Sequence, residues 1–413
     1  MQTNQRIDGQ RLWSTLMAMA EIGATPKGGV KRLTLTEEDR QGRDRFCEWC
    51  RALGLAIRID EIGNIFARRE GRDPNRPPVL MGSHLDSQPS GGKFDGALGV
   101  IAGLEVMRSL HDLGIVTEAP IELVNWTDEE GSRFGHSLMG SGTWAGVFPR
   151  EKTYALTDAD GVRVEDALDA IGYRGAEPAR PFAADAYFEL HIEQGPILER
   201  EGRTIGIVTG AQAQIWYDAR IEGQDAHAGT TPPGARRDAM VATARVVGLV
   251  DRIMRARGED GRGTVGWLQV APNSRNVVPG ETRFSVEFRH PDFAEVQAMA
   301  AEFEAGAPGL ASPCAWHLTE LFRLDATPFD PGCVALVEQA AIRLGLPARR
   351  IVSGAGHDAV YVARHVPTAM IFTPCKDGLS HNEAESIEPA EAEAGCQVLF
   401  EAVLARANRA LDG

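Results

Sequence analysis

The sequence predicts an α/β fold: a mostly parallel sheet layered with helices, interrupted by a smaller α+β domain inserted over residues 212–327. Three features predict it. Apolar strand-like runs alternate with helical runs through the first half of the chain, as a layered parallel sheet requires. From about residue 212 the texture changes to strands that alternate polar and apolar residues. Near residue 328 the first texture resumes, so residues 1–211 and 328–413 read as one discontinuous domain. With 413 residues, 43% of them hydrophobic, there is core enough for two domains.

The runs PPVLMGSHLD (77–86) and IELVNWTDEE (121–130) are apolar strands that end in polar residues. Between them, Ile101, Leu104, Met107 and Leu110 recur at threefold spacing, with Asp95 placed as an N-cap and Gly114 as a terminator. That is a strand, a helix and a strand. AYFELHIEQ and TAMIFTPC, before GLSHNE, end the same way. Ligands of open α/β sheets bind beyond the carboxyl ends of the strands, so these four polar tails are expected to meet in one crevice. The inserted stretch offers the strands QIWYDARIEG, TVGWLQVAP and TRFSVEFRHP, with helices around DAMVATARVVGLVDRIMRARG and FAEVQAMAAEFEAG. A helix, CVALVEQAAIRLG, opens the return.

A formal charge of -15 with no dense Lys/Arg run argues against a nucleic-acid surface, since phosphates need a basic stripe. The N-terminal residues are too polar for a signal peptide, and no stretch reaches the roughly 20 apolar residues of a membrane span. A cytoplasmic protein is expected, without membrane or nucleic-acid partner. Six scattered cysteines do not form a disulfide framework. Cys47 and Cys50 spell CxxC, but they lie in a helical pattern with Phe46 and Leu53 and have no second CxxC to complete four ligands, so core packing is the better reading.

Residues suited to divalent metals gather at the strand ends: His84, Asp86, Asp95, Asp128, Glu129, Glu130, His191, Glu193 and His381. Imidazole and carboxylate donors without cysteine suit zinc, manganese, cobalt or nickel in hydrolytic chemistry. Other chemistries lack their signatures. No GxGxxG follows a strand-like run, and GxxxxGK[ST], GxSxG and HExxH do not occur.

Six segments, GSHLDSQPSGGKFDGALGV, WTDEEGSRFGHSLMGS, ELHIEQGPILE, GQDAHAGTTPP, NSRNVVPGE and GLSHNEAE, resemble in this order the motifs of the M20-type metallopeptidase-like amidohydrolases. The likeness is to the branch of N-carbamoyl-L-amino-acid hydrolases, β-ureidopropionases and allantoate amidohydrolases, and runs from about residue 10 to 405. It implies two divalent metal ions per chain, one held by His84, Asp95 and His191, the other by Asp95, Glu130 and His381. Asp95 would bridge, because a carboxylate can bond two cations. Asp86, two residues from His84, would orient that imidazole. Glu129 would be the general base, on the expectation that adjacent carboxylates of an extended chain point in opposite directions. His227 and Asn276 would steady the oxyanion or the ureido group, Arg289 would clamp the substrate carboxylate, and Gln194 would contact the carbamoyl amide. The segment SGAGHDA (353–359), with His357 and Asp358, would lie near the site. The inserted domain would be ferredoxin-like and would serve as lid and as the interface of a homodimer, its edge strands being open templates for pairing.

The expected substrate is a small anionic N-carbamoyl amino acid, cleaved at the ureido carbon–nitrogen bond to amino acid, carbon dioxide and ammonia. Allantoate, or a peptide-like amide, is the alternative; the run Ser87, Gln88, Pro89 with GGKFDG looks more like the carbamoylase side. A non-catalytic binding relative would have lost a ligand or the base, and all these positions are filled. Blander readings are an acidic turn for Glu129 and Glu130, a loop histidine for His227 and a surface ion pair for Arg289.

Overall fold

The computed structural model of the chain describes residues 5–410. The chain forms two compact units, one from the stretch up to Gly210 together with that from Pro328 onward, the other Ala211–Thr327. Within the first unit the Phe329 N–H donates to Thr209 O at 2.9 Å. The chain therefore leaves and re-enters that unit at neighbouring points.

The first unit is built on a nine-stranded sheet. Four parallel strands form its middle, in the order Ile121–Trp126, Val79–His84, Ala186–Ile192 and Thr368–Thr373. All their residues are buried, which accounts for near-continuous apolar runs. Antiparallel pairs flank this centre on both sides. Ile65–Arg69 runs antiparallel to Ile121–Trp126, and Ile205–Ala211 antiparallel to Thr368–Thr373.

The helix Ala97–Asp112 connects two of the central strands and buries Ile101, Leu104, Met107 and Leu110, as its threefold spacing predicts. It ends at Leu113 with Gly114 at φ 63°. Its start differs from the expectation. Gly96, at φ 65° and with no side-chain cap, holds the N-cap position in place of Asp95. The Asp95 carboxylate instead accepts from Gln194 and Ser380. A Cβ at Gly96 would lie 2.3 Å from His84 Nε2, so the turn passes too close to that imidazole for any residue but glycine.

Cys47 and Cys50 are buried in the helix Glu37–Ala52, and all six cysteines are free. The same helix carries Arg43, only 1% exposed, which donates to Asp39 at 2.7 Å, Gly63 O at 2.6 Å and Thr127 Oγ1 at 3.2 Å. Buried Arg32 donates to Leu85 O at 2.6 Å. Two buried guanidinium groups thus brace the loops that follow two of the central strands. Among the described residues no helix is long and apolar enough to cross a membrane.

The second unit is a five-stranded antiparallel sheet in the order Leu268–Ala271, Glu281–His290, Ala213–Glu222 and Ala315–Leu324, with Arg262–Thr264 also pairing Glu281–His290. The helices Ala239–Arg255 and Phe293–Ala311 pack on it over a core that includes Ile215, Val246, Phe288 and Phe303. Strand, helix, two strands, helix, strand, with the two long strands central, is the ferredoxin-like order. The sequence does not single out Ala315–Leu324, because most of its residues are exposed and a register slip between Glu320 and Phe322 breaks the apolar alternation.

Candidate metal centre

Parallel strands deliver their carboxyl ends to one side. His84 is the last residue of Val79–His84, His191 the penultimate residue of Ala186–Ile192, and Glu129 and Glu130 follow Ile121–Trp126. His381 lies beyond Thr368–Thr373. Asp95 sits among them. Its Oδ1 is 3.8 Å from His84 Nε2 and 3.1 Å from His191 Nε2. Its Oδ2 is 3.3 Å from His381 Nε2, which is 3.3 Å from Glu130 Oε2. The two oxygens of one carboxylate thus face two donor sets, His84 with His191 and Glu130 with His381, each closing to within 4.8 Å.

The fit to a cation shows in a polar atom left over. His84 Nε2 is buried and has no hydrogen-bond partner, while the nearest carboxylate oxygens, of Glu129 and Asp95, stand 3.6 and 3.8 Å away. Its other nitrogen is held by Asp86 O at 3.0 Å, so Nε2 is the end presented. A metal ligand held in this way has its tautomer set from behind.

Charge makes the same point. Burial pushes the Glu129 carboxyl well above its ordinary range, helped by Asp358 and Glu130, and pushes Glu130 up to about 8, helped by Asp95. Asp86 is raised to about 7, first by burial and then by Asp39. Burial holds His84 down to about 4. Burial also opposes charge on His191, but the Asp95 carboxylate against it prevails and raises it to about 9. The hydrogen bond to Asp95 raises His381, whose side chain is half exposed, to about 9 as well. Buried carboxylates outnumber the cations that could balance them, and bound positive charge relieves that excess.

The chain at Glu129 and Glu130 is not extended as expected. Asp128 is left-handed at φ 56°, and the bend that follows is tied down by Asp86, whose two oxygens accept the Glu129 N–H at 3.3 Å and the Glu130 N–H at 3.2 Å. The two side chains still diverge, Glu129 toward His84 and Glu130 toward His381. Asp86 thus acts on both sides, its carbonyl on His84 and its carboxylate on the bend. Gln194 Nε2 lies 2.9 Å from Asp95 Oδ2. Glu193, at the same strand end, stays out of the cluster because its carboxylate accepts the N–H groups of Ile197 and Leu198. His357 is buried with its ring 4.5 Å from that of His191, which brings SGAGHDA to the site.

Several members of the cluster were assigned no contact or role from the sequence. Gln88 donates to Glu130 at 2.6 Å, and Ser380 and Glu385 bear on Asp95. Buried Glu189 accepts from Ser83 at 2.8 Å and Tyr187 at 3.0 Å. Only their places within the matched motifs could have drawn attention to them. A cavity of about 380 Å³ lined by Lys27, Ser90, His381, Asn382, Glu383 and Ala384 opens beside the centre. A larger one, about 460 Å³, lies at the opposite strand ends among Arg58, Arg68, Arg76 and Glu122, and none of the cluster lines it.

In the second unit, Ala226–His227 pairs with Val277–Val278, and the Ala228 N–H donates to Asn276 O, so His227 and Asn276 are neighbours. His227 Nδ1 accepts the N–H groups of Gly229 and Thr230 at 3.1 and 3.2 Å, so in the neutral ring the proton sits on Nε2. Arg289 is on the interior strand Glu281–His290, paired with Glu287 at 2.9 Å and 5.8 Å from the Trp216 ring centroid.

The fold and the cluster define a hydrolase of the metal-dependent kind. The chain belongs to peptidase family M20/M25/M40, whose model matches residues 80–405. Within it, the chain falls in the hydantoinase/carbamoylase branch and is a hydrolase of amide or ureido carbon–nitrogen bonds. It is 45% identical over 407 residues to an N-carbamoyl-L-amino-acid amidohydrolase of Rhizobium meliloti, covering 98% of both chains. It is 32% identical over 385 residues to an allantoate amidohydrolase of Bacillus subtilis, covering 92% of this chain and 93% of that one. The crystal structure of an amidase of the hydantoinase/carbamoylase family from Burkholderia multivorans superposes with a TM-score of 0.93 at 51% identity, over 99% of this chain and all of that one (100%).

Proposed function

We propose that the protein is a binuclear metal-dependent hydrolase of N-carbamoyl amino acids, releasing the amino acid, carbon dioxide and ammonia. The observation that carries this reading is Asp95, one oxygen facing His84 and His191 and the other facing His381. These residues with Glu130 would hold two divalent ions, zinc, manganese, cobalt or nickel by the chemistry of the donors. When bound, such ions supply Lewis acidity, polarising a carbonyl and acidifying water.

The chain's own residues do the rest. Glu129, raised by burial and neighbouring carboxylates, is suited to take the proton of the attacking water and pass it to the departing nitrogen. Asp86 orients His84 and holds the Glu129–Glu130 bend. His227, with its proton on Nε2, is suited to donate to the developing oxyanion, beside Asn276. Arg289 offers a planar fork for the substrate carboxylate, for which Glu287 must give way. Gln194 offers an amide to the carbamoyl group once it leaves Asp95.

Homodimerisation through the second unit is supported by its edges, where Trp267, Leu268 and Leu321 are 49%, 41% and 57% exposed. Free cysteines throughout support a reducing, cytoplasmic setting. The test is ammonia release by metal-reconstituted protein from N-carbamoyl-L-amino acids, N-carbamoyl-β-alanine, allantoate and dipeptides. Turnover is expected on the carbamoyl amino acids. Activity confined to allantoate or dipeptides would overturn the assignment.

A further inference from the structure

We infer that Glu385 is a positioning residue of the metal centre, holding the main chain at Asp95 and, through Ser380, deciding how open Asp95 Oδ2 is to a cation. This rests on the binuclear reading and deepens it.

Glu385 is 5% exposed, and no Lys, Arg or His is ion-paired with it among the described residues. A buried carboxylate without a counter-ion is costly unless its hydrogen bonds serve a purpose. Here they go to one place. Oε1 accepts the N–H groups of Phe94 at 3.0 Å and Asp95 at 3.1 Å, and Oε2 is 3.0 Å from Ser380 Oγ. The loop that carries Asp95 passes directly over the carboxyl group: a Cβ at Gly92 would lie 2.1 Å from Glu385 Cδ.

Ser380 Oγ is also 3.0 Å from Asp95 Oδ2. A hydroxyl has a single hydrogen, so Ser380 donates either to Asp95 or to Glu385. While it donates to Asp95, Oδ2 carries, besides His381, two donors that are not themselves candidate ligands, Ser380 and Gln194, and both compete with a cation there. When it turns to Glu385, one competitor is gone. Glu385 therefore opens the outer position, made by Asp95 Oδ2, Glu130 and His381, and leaves the inner one, made by Oδ1, His84 and His191, untouched.

The test is cobalt(II) titration of the full-length, metal-free chain, followed by calorimetry and by the visible absorption of the bound ion. Wild type is expected to bind two ions. Glu385→Gln keeps an acceptor for both N–H groups, but its amide donates to Ser380 and forces the hydroxyl onto Asp95. Outer-position affinity is then expected to fall about 10–100-fold, the usual effect of a group behind a ligand, with the inner position and the metal-free melting temperature unchanged. Adding Ser380→Ala removes the misdirected hydroxyl and is expected to restore outer affinity, a rescue that a merely structural role would not give. Unchanged affinities in Glu385→Gln, or a loss that Ser380→Ala does not restore, overturn the inference. Wild type binding fewer than two ions overturns the binuclear reading itself, and this inference with it.

Discussion

Glu129 and Glu130 are adjacent in sequence, yet one lies 3.6 Å from His84 and the other 3.3 Å from His381. That separation allows the proposed base and the proposed ligand to be told apart by substitution. Glu129→Gln is expected to keep its metal content and lose turnover by about 10²–10⁴-fold, the usual share of a general acid–base group, checked by elemental analysis beside steady-state kinetics. Near-normal turnover would remove Glu129 from the mechanism. Protons bear on the same residues. His191 and His381 are raised to about 9 in the metal-free chain, so at neutral pH both hold protons that a cation must displace. Metal affinity is therefore expected to climb as pH rises and to level off above about 9, with proton release visible as a buffer-dependent heat of binding. A flat pH response would show these histidines are not ligands. Imidazoles and carboxylates at strand ends were legible in the sequence because the chemistry demands those side-chain types. Glu385 and Ser380 were not, since they work on main-chain N–H groups and on another residue's oxygen, and nothing in their own type announces it.

Among the elements, the four buried strands and the helix Ala97–Asp112 follow directly from apolar runs and threefold spacing. Their ends were harder to read. Asp95 looks like a cap by residue type, but a glycine takes the cap position and the carboxylate turns to the site. The helix Glu37–Ala52 hides a second unread feature in Arg43, which joins Asp39 to Thr127, one residue before Asp128. Replacing Arg43 with methionine leaves Asp39 buried without its partner and is expected to cost about 3–5 kcal/mol in denaturant unfolding. A loss below about 1 kcal/mol would show that the pair contributes little beyond its volume.

For the whole molecule, the hydrogen bond between Phe329 and Thr209 has a direct consequence. An insertion whose ends meet can be exchanged for a short turn without stretching its host. A chain with residues 211–327 replaced by a short glycine-rich linker is expected to fold and to bind metal, as circular dichroism and calorimetry would report. It is also expected to lose turnover, because His227, Asn276 and Arg289 go with the excised unit. A chain that unfolds, or one that keeps full activity, would contradict this division of labour. The change in the pattern of hydrophobicity near residues 212 and 328 falls where the two compact units divide. The strand Ala315–Leu324 was not legible, because its apolar residues fall out of alternation where the register slips between Glu320 and Phe322.

Three residues at the centre, Asp128, Gln194 and His381, have left-handed backbones at φ 56°, 56° and 53°. A non-glycine residue in that conformation costs about 1–2 kcal/mol, and the fold carries this cost beside the candidate metal ligands. Selection for heat resistance alone would therefore find gains at these very positions, for instance by exchanging Asp128 for glycine. An enzyme improved in that way would be sturdier and slower, and a screen for thermostable variants has to score turnover at every round.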